Sequence, residues 1–130
     1  MGNNSREALS LIDNIVKGIF EKKGERLVKI DMRSLENSVC DFFLISHGSS
    51  RTQVEALVDS VLINVKKETG EKPHHKEGLE NSQWVLIDYG NVVVHLFQEE
   101  FRDFYNLEGL WADAQSEVVE DKQKKNGRRE

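Results

Sequence analysis

The sequence predicts an α/β (α+β) protein in which helices pack on one mixed β-sheet. Three segments carry apolar residues at helical spacing, and four others are short apolar or alternating runs of strand length. The segments follow one another in the order α-β-β-α-β-β-α. This order favours a mixed sheet with helices packed on it.

The N-terminal half is predicted to form one helix followed by two strands. Gly24 stops the helix, residues 26–32 form a strand with Val28, Ile30 and Met32 on one face, and residues 41–48 form a continuous apolar strand. A continuous apolar run indicates a central strand that is buried on both faces. The apolar stripe of the first helix is formed by Leu9, Ile12, Val16, Ile19 and Phe20.

The second helix is predicted over residues 49–70. Ser50 and Gln53 have the spacing of a capping box, in which the serine hydroxyl accepts a hydrogen bond from a backbone N–H in the first turn. A polar loop over residues 71–83 follows the helix. The core-facing stripe of this helix is formed by Val54, Leu57, Val58, Val61, Leu62 and Val65.

Residues 84–97, "WVLIDYGNVVVHLF", read as a β-hairpin. Gly90-Asn91 is a two-residue loop of the kind that favours primed turns, so Asp88 faces Val93 and Leu86 faces His95. One face is wholly apolar and belongs to the core. The other face mixes polar and large apolar residues, which is typical of a docking surface. The predicted partner-binding residues are therefore Trp84, Leu86, Asp88, Val93, His95 and Phe97.

The chain is predicted to divide into a domain at residues 1–113 and a charged, disordered tail at residues 114–130. A last helix and an aromatic-rich turn close the domain, with Phe101, Phe104 and Tyr105 assigned mainly to packing. The final nine residues carry a formal charge of +4 and the other 121 carry −9, within a total of −5. An acidic body suits a basic protein partner better than a phosphate backbone. The tail is read as a solubilising end, with contact to nucleic acid as the alternative.

Composition places the protein in the cytoplasm. The single cysteine, Cys40, has no partner for an intramolecular disulfide. No apolar run approaches the roughly 20 residues that span a bilayer, and the polar N-terminus lacks the core of a signal peptide. We therefore expect no membrane partner.

The sequence favours neither a catalytic pair nor a metal site. Asp88 and His95 lie diagonally on one hairpin face, but no nucleophile accompanies them, so a structural pair or a docking surface is the better reading. His74 and His75 are adjacent and would point apart in an extended segment. We expect no catalytic residue, no metal and no cofactor.

The turn at residues 48–50 raises the nucleotidyltransferase alternative. A Gly-Ser turn before a helix N-terminus is able to cradle phosphate. Two-metal transfer also needs a pair of carboxylates, whereas Asp59 and Asp88 each stand without a second acid at the required spacing. The simpler reading is a tight strand-to-helix turn with a cap. An active nucleotidyltransferase-like enzyme remains the alternative function, and pairing of the mixed face with a second copy is a third.

The stretches "CDFFLISHGSSRTQVEALVDSV" and "WVLIDYGNVVVHLFQEEFRDFYNLEGLW" resemble the ribosome silencing factor, or Iojap, family over residues 6–113. The resemblance implies a nucleotidyltransferase-like fold without the catalytic carboxylates. It also implies binding to the large ribosomal subunit through the universal ribosomal protein uL14. Family members thereby block subunit joining and repress translation when nutrients are scarce, and they place the residue matching Trp84 in the contact.

The chain departs from the family pattern in two places. Asn91 stands where the family usually has Asp, which is a conservative change for a turn residue. Ser46-His47-Gly48 replaces the usual Ala-Thr-Gly or Cys-Thr-Gly after the central strand, so the resemblance assigns that loop no role.

Overall fold

A computed structural model of the chain describes residues 2–36 and 38–121. In this part of the chain, helices cover both faces of a six-stranded mixed sheet with the strand order β3-β4-β5-β2-β1-β6. The elements are α1 (Gly2–Glu21), β1 (Glu25–Asp31), β2 (Phe42–Gly48), α2 (Arg51–Thr69), β3 (His75–Glu77), β4 (Trp84–Asp88), β5 (Val92–Gln98), α3 (Glu99–Tyr105), α4 (Leu107–Leu110) and β6 (Gln115–Val118).

The centre of the sheet is a parallel pair, and all other neighbours are antiparallel. Strand β2 runs parallel to β5, while β1 pairs antiparallel with both β2 and β6. Every residue of β2 is buried, as predicted for a central strand. The predicted fold class, a mixed sheet with helices packed on it, is confirmed.

One core lies between the sheet and helices α1 and α2. Five of the six predicted stripe residues of α2 are buried there, and Leu62 packs against them while partly exposed. The prediction for α1 was wrong at Leu9, which is 58% exposed. Leu11 and Ile15 are buried instead, because the helix presents the row Leu11, Ile15 and Ile19, spaced by four residues, to the sheet.

The capping prediction for α2 is confirmed, with one difference in detail. The Ser50 hydroxyl accepts a hydrogen bond from the Gln53 backbone N–H at 3.1 Å. The Gln53 side-chain oxygen accepts from the Ser49 N–H rather than from that of Ser50. Its amide nitrogen donates to the carbonyls of Lys22 and Lys23, so Gln53 also ties the end of α1 to the start of α2.

A second core lies on the opposite face of the sheet, beneath α3, α4 and the connecting residues 32–36, 38–41 and 111–114. Phe43 and Ile45 of β2 and Phe97 of β5 face it from the sheet, and Leu107 of α4 covers them. The sheet is therefore the middle layer of three. Both of its faces are occupied where the central strands lie.

Strand β6 lies beyond residue 113, where the sequence predicts the end of the domain. Residues 115–118 pair with β1, with Val28 opposite Val118 and Ile30 opposite Ser116. The Val119 N–H also donates to the Leu27 carbonyl at 2.9 Å. The sheet thus includes one strand that lies past the predicted boundary at residue 113. Residues 122–130 of the predicted tail lie outside the described residues.

Candidate partner-binding site

The β4–β5 hairpin has the predicted register. Trp84 lies opposite Phe97, Leu86 opposite His95, and Asp88 opposite Val93. Gly90 has a φ of +93°, a backbone conformation that glycine adopts at little cost, and it makes the tight turn. Alternation along the strands sends the six predicted partner-binding side chains to the face of the second core.

The structure divides those six residues by strand. Trp84, Leu86 and Asp88 on β4 are partly exposed, whereas Val93, His95 and Phe97 on β5 are buried. Of the six predicted partner-binding side chains, only the three on β4 therefore reach the surface. Strand β5 is an interior strand covered by the second core, while β4 lies next to the edge strand β3.

The expected contact between Asp88 and His95 is replaced by two separate hydrogen bonds. The Asp88 carboxylate accepts from the Gly90 N–H at 2.7 Å and so stabilises the turn. The indole N–H of Trp84 donates to Nδ1 of His95 at 3.0 Å. Burial lowers the pKa of His95 to about 4, so the imidazole is neutral at physiological pH. These two side chains do not form a catalytic pair.

Trp84 is the centre of a group of aromatic rings that reaches the surface. Its ring stacks on Phe97 with centroids 5.0 Å apart and lies at the same distance from the ring of Tyr105. Tyr105 is 48% exposed and contacts Phe104, which is 78% exposed. We call the set Trp84, Leu86, Asp88, Phe104 and Tyr105 the Trp84 surface. The sequence assigned Phe104 and Tyr105 mainly to packing, with an exposed edge as the alternative, and the structure shows the exposed edge.

A buried ionic cluster fixes α3 and α4 beside this surface. Arg102 is 2% exposed and donates to both carboxylate oxygens of Glu108 at 2.9 Å. It also donates to Nδ1 of buried His47 at 3.0 Å, and Nε2 of His47 lies 3.2 Å from the Glu25 carboxylate. Burial, with the Arg102 charge second, lowers the pKa of His47, and hydrogen bonding to Arg102 lowers the pKa of Glu108.

The sequence did not reveal this cluster. Its members come from four elements, and Arg102 and Glu108 are six residues apart, which is not a helical contact spacing. They meet because Asn106 has a φ of +49° and turns the chain sharply between α3 and α4. Asn106 itself was the only available signal, since Asn is enriched in left-handed conformations.

The arrangement of polar residues offers no assembled catalytic set in the described part of the chain. The Gly48–Ser50 turn is the tight turn with a cap that the sequence favoured, because Ser50 caps α2. Asp59 is exposed on α2, and Asp88 is engaged with the turn. Burial raises the pKa of the Cys40 thiol to about 11, so it is not a thiolate at neutral pH.

Residues 2–36 and 38–121 contain no cluster of metal-binding side chains and no membrane-spanning helix. No group of three or more His, Cys, Asp or Glu side chains lies close enough there to hold a metal ion. His75 instead pairs with Glu77 at 2.6 Å. No helix in this part of the chain has the length and apolar character needed to cross a bilayer.

Fold and site together define a small three-layer α+β protein with an exposed group of aromatic side chains at one side of its sheet. The family model described as "Ribosomal silencing factor during starvation" matches residues 5–130. The chain belongs to this ribosomal silencing factor family, whose members are named as regulators of translation.

Several relatives are similar to this chain over most of its length. A protein of Halalkalibacterium halodurans named ribosomal silencing factor is 42% identical over 110 residues, which are 85% of this chain and 92% of the relative. The Bacillus subtilis protein of the same name is 40% identical over 94 residues, covering 72% of this chain and 78% of the relative. The chloroplastic protein Iojap of Zea mays is 30% identical over 115 residues, covering 86% of this chain and 48% of that longer protein.

Two solved structures share the fold. A crystal structure of a protein from Bacillus halodurans superposes with a TM-score of 0.70 at 38% identity, covering 88% of this chain and 99% of the other. A crystal structure of a Chromobacterium violaceum protein gives a TM-score of 0.74 at 30% identity, covering 87% and 92%. The resemblance seen in the sequence is thereby confirmed.

Proposed function

We propose that this protein binds the large ribosomal subunit in the cytoplasm through ribosomal protein uL14. Its bulk then occupies space that the small subunit needs, so the two subunits fail to join and translation is repressed when nutrients are scarce. No covalent bond is made or broken in this mechanism. The names of the relatives, ribosomal silencing factor and Iojap, support a role at the ribosome.

The observation that carries the proposal is the Trp84 surface. Binding energy at protein interfaces concentrates in a few aromatic and arginine side chains that sit in well-packed surroundings. Trp84 meets that description, because its ring is supported by Phe97 and Tyr105 and remains partly exposed. The exposed rings of Tyr105 and Phe104 extend the apolar area beside it.

The proposal gives the six predicted residues two kinds of role. Trp84, Leu86 and Asp88 contact the partner, because they reach the surface. The β5 side chains do not contact the partner, because they are buried in the second core. They support the β4 side chains instead. Phe97 supports the Trp84 ring by stacking, so the whole face contributes although only half of it touches the partner.

Charge supports a basic protein as the partner. The chain outside its last nine residues carries a formal charge of −9. Ribosomal proteins are basic, and complementary charge speeds encounter and suppresses wrong partners. An acidic body is correspondingly ill suited to hold ribosomal RNA through its phosphates.

Substitution of Trp84 by Ala tests the proposal. We expect co-sedimentation of the unmodified protein with isolated large subunits and not with small subunits. Trp84→Ala should weaken this binding by about 2 kcal/mol, roughly thirtyfold, since a central interface tryptophan is lost. It should also restore subunit joining in a gradient assay at protein concentrations where the unmodified protein prevents it.

Ile63→Ala is the matched control. Ile63 is an apolar residue, 64% exposed, on α2 at the opposite face of the sheet. The Ile63→Ala variant should bind the large subunit and block subunit joining like the unmodified protein. Equal binding to both subunits, binding to neither, or equal effects of the two substitutions would contradict the proposal. Self-association through the Trp84 surface, measured by ultracentrifugation, is the competing outcome.

A further inference from the structure

His95 is an unusual residue for a buried interior strand. Its side chain is 3% exposed, and its contacts are aromatic: the Phe43 ring lies 4.6 Å away and the Trp84 ring 5.9 Å away. Its Nδ1 atom accepts the Trp84 indole N–H. Because a neutral imidazole has one donor and one acceptor nitrogen, the proton must then lie on Nε2.

The Nε2 atom of His95 is buried and has no hydrogen-bond partner among the described residues. A buried donor without a partner costs stability, and an apolar residue of similar volume would avoid that cost. Within the described part of the chain, the only hydrogen bond of the His95 side chain is the one that it accepts from Trp84. The presence of histidine at this position is therefore explained by its hydrogen bond to the Trp84 indole, because an apolar residue would stabilise the core better.

Three contacts together restrict the indole to one orientation. The hydrogen bond to His95 fixes the rotation of the ring about the Cβ–Cγ bond, Phe97 supports one side, and Tyr105 of α3 lies against it from another element. Without the hydrogen bond, stacking alone would permit the ring to turn over about the Cβ–Cγ bond and to point its N–H away from His95. A polar edge would then replace an apolar edge at the surface.

We propose that His95 is a positioning residue that holds the Trp84 indole in the orientation in which the partner binds it. The inference rests on the proposed function, because it concerns the same surface. A preorganised side chain does not lose its rotamer freedom on binding, and this loss weakens affinity. Removing the acceptor should therefore weaken large-subunit binding about threefold to tenfold while leaving the fold intact.

The decisive comparison is His95→Leu against His95→Asn. Leucine removes both nitrogens and the unpartnered polar atom, so the fold should melt at or above the temperature of the unmodified protein. Asparagine places its side-chain oxygen near the position of Nδ1 and so keeps the acceptor. We expect weaker large-subunit binding for His95→Leu and recovery of most of the loss for His95→Asn.

Nuclear magnetic resonance of the indole N–H reports on the hydrogen bond between Trp84 and His95 without the ribosome. The chain has two tryptophans, and Trp111→Phe assigns their two indole signals. In the unmodified protein the Trp84 signal should be shifted by its hydrogen bond and protected from exchange with water. Both properties should be lost in His95→Leu and kept in His95→Asn.

A double-mutant cycle separates positioning from a general structural effect. Trp84→Phe keeps a ring but has no N–H, so adding His95→Leu to it should change affinity no further. A further loss of similar size, or a freed indole with unchanged affinity, would overturn the inference while the proposed function stands. Absence of binding by the unmodified protein would instead refute the proposed function, and with it the role for His95.

Discussion

Arg102 shows how much of this structure depends on a single side chain. It is almost completely buried, yet its charge is matched by a bidentate pair with Glu108 and by contacts to His47 and the Glu25 carbonyl. A guanidinium fits this arrangement because it presents several donors in one plane. The residue thereby joins the ends of β1 and β2 to the two short helices that border the Trp84 surface.

Arg102→Lys should destabilise the protein although it preserves the charge. An ammonium cannot make the bidentate pair and the contact to His47 together, so we expect a loss of about 2–4 kcal/mol in the free energy of unfolding, measured by urea denaturation. Arg26→Lys is the control, because both partners of its pair with Asp103 are largely exposed. That change should cost less than about 0.5 kcal/mol. Equal costs would contradict the importance of the buried cluster.

The elements with strong local signals were predictable from the sequence. The hairpin register followed from Gly90-Asn91 and the alternating apolar residues, and the cap of α2 followed from Ser50 and Gln53. Burial of His95 and Phe97 did not follow from these local signals. It depends on α3 and α4 folding back over β5, and that return depends on the long-range contacts of Arg102.

Strand β6 illustrates the opposite case, an element without a signal of its own. The segment "QSEV" is short and largely polar, and all four of its residues are exposed. It becomes a strand because β1 offers unpaired backbone groups at the edge of the sheet, and backbone pairing does not require an apolar pattern. A prediction based on hydrophobic periodicity therefore assigns it to the tail.

Truncation tests whether β6 belongs to the domain. A chain ending at residue 113 loses the pairing with β1 and also Ala114 and Val119, which pack against the two cores. We expect a loss of about 2 kcal/mol in the free energy of unfolding from this apolar area and the ladder hydrogen bonds. A chain ending at residue 121 is the control and should unfold like the full chain. Identical urea midpoints for both truncations would show that β6 is dispensable.

The uneven charge of the whole molecule should affect the rate at which it associates with its partner. Residues 122–130 carry +4 and the rest of the chain −9, so deleting these residues makes the protein more acidic. If the partner surface is basic uL14, association with isolated uL14 should be at least as fast for the chain ending at residue 121 as for the full chain. Rates should fall for both as salt is raised, because screening weakens steering.

The association rates of the full and truncated chains show which part of the molecule attracts the partner. Stopped-flow mixing of each chain with uL14 gives the two association rates over a series of salt concentrations. Slower association of the truncated chain would indicate that its basic residues help to capture the partner. The acidic body would then not be the source of attraction.

The two outermost strands of the sheet protect the protein against edge-to-edge aggregation at high concentration. Strand β3 has three residues and β6 has four, and both present charged side chains such as Lys76 and Glu117. Short, charged edges are poor templates for the growth of ribbons and fibrils. Recognition is thereby left to side chains on the faces, where a single substitution is able to alter the choice of partner without opening a route to aggregation.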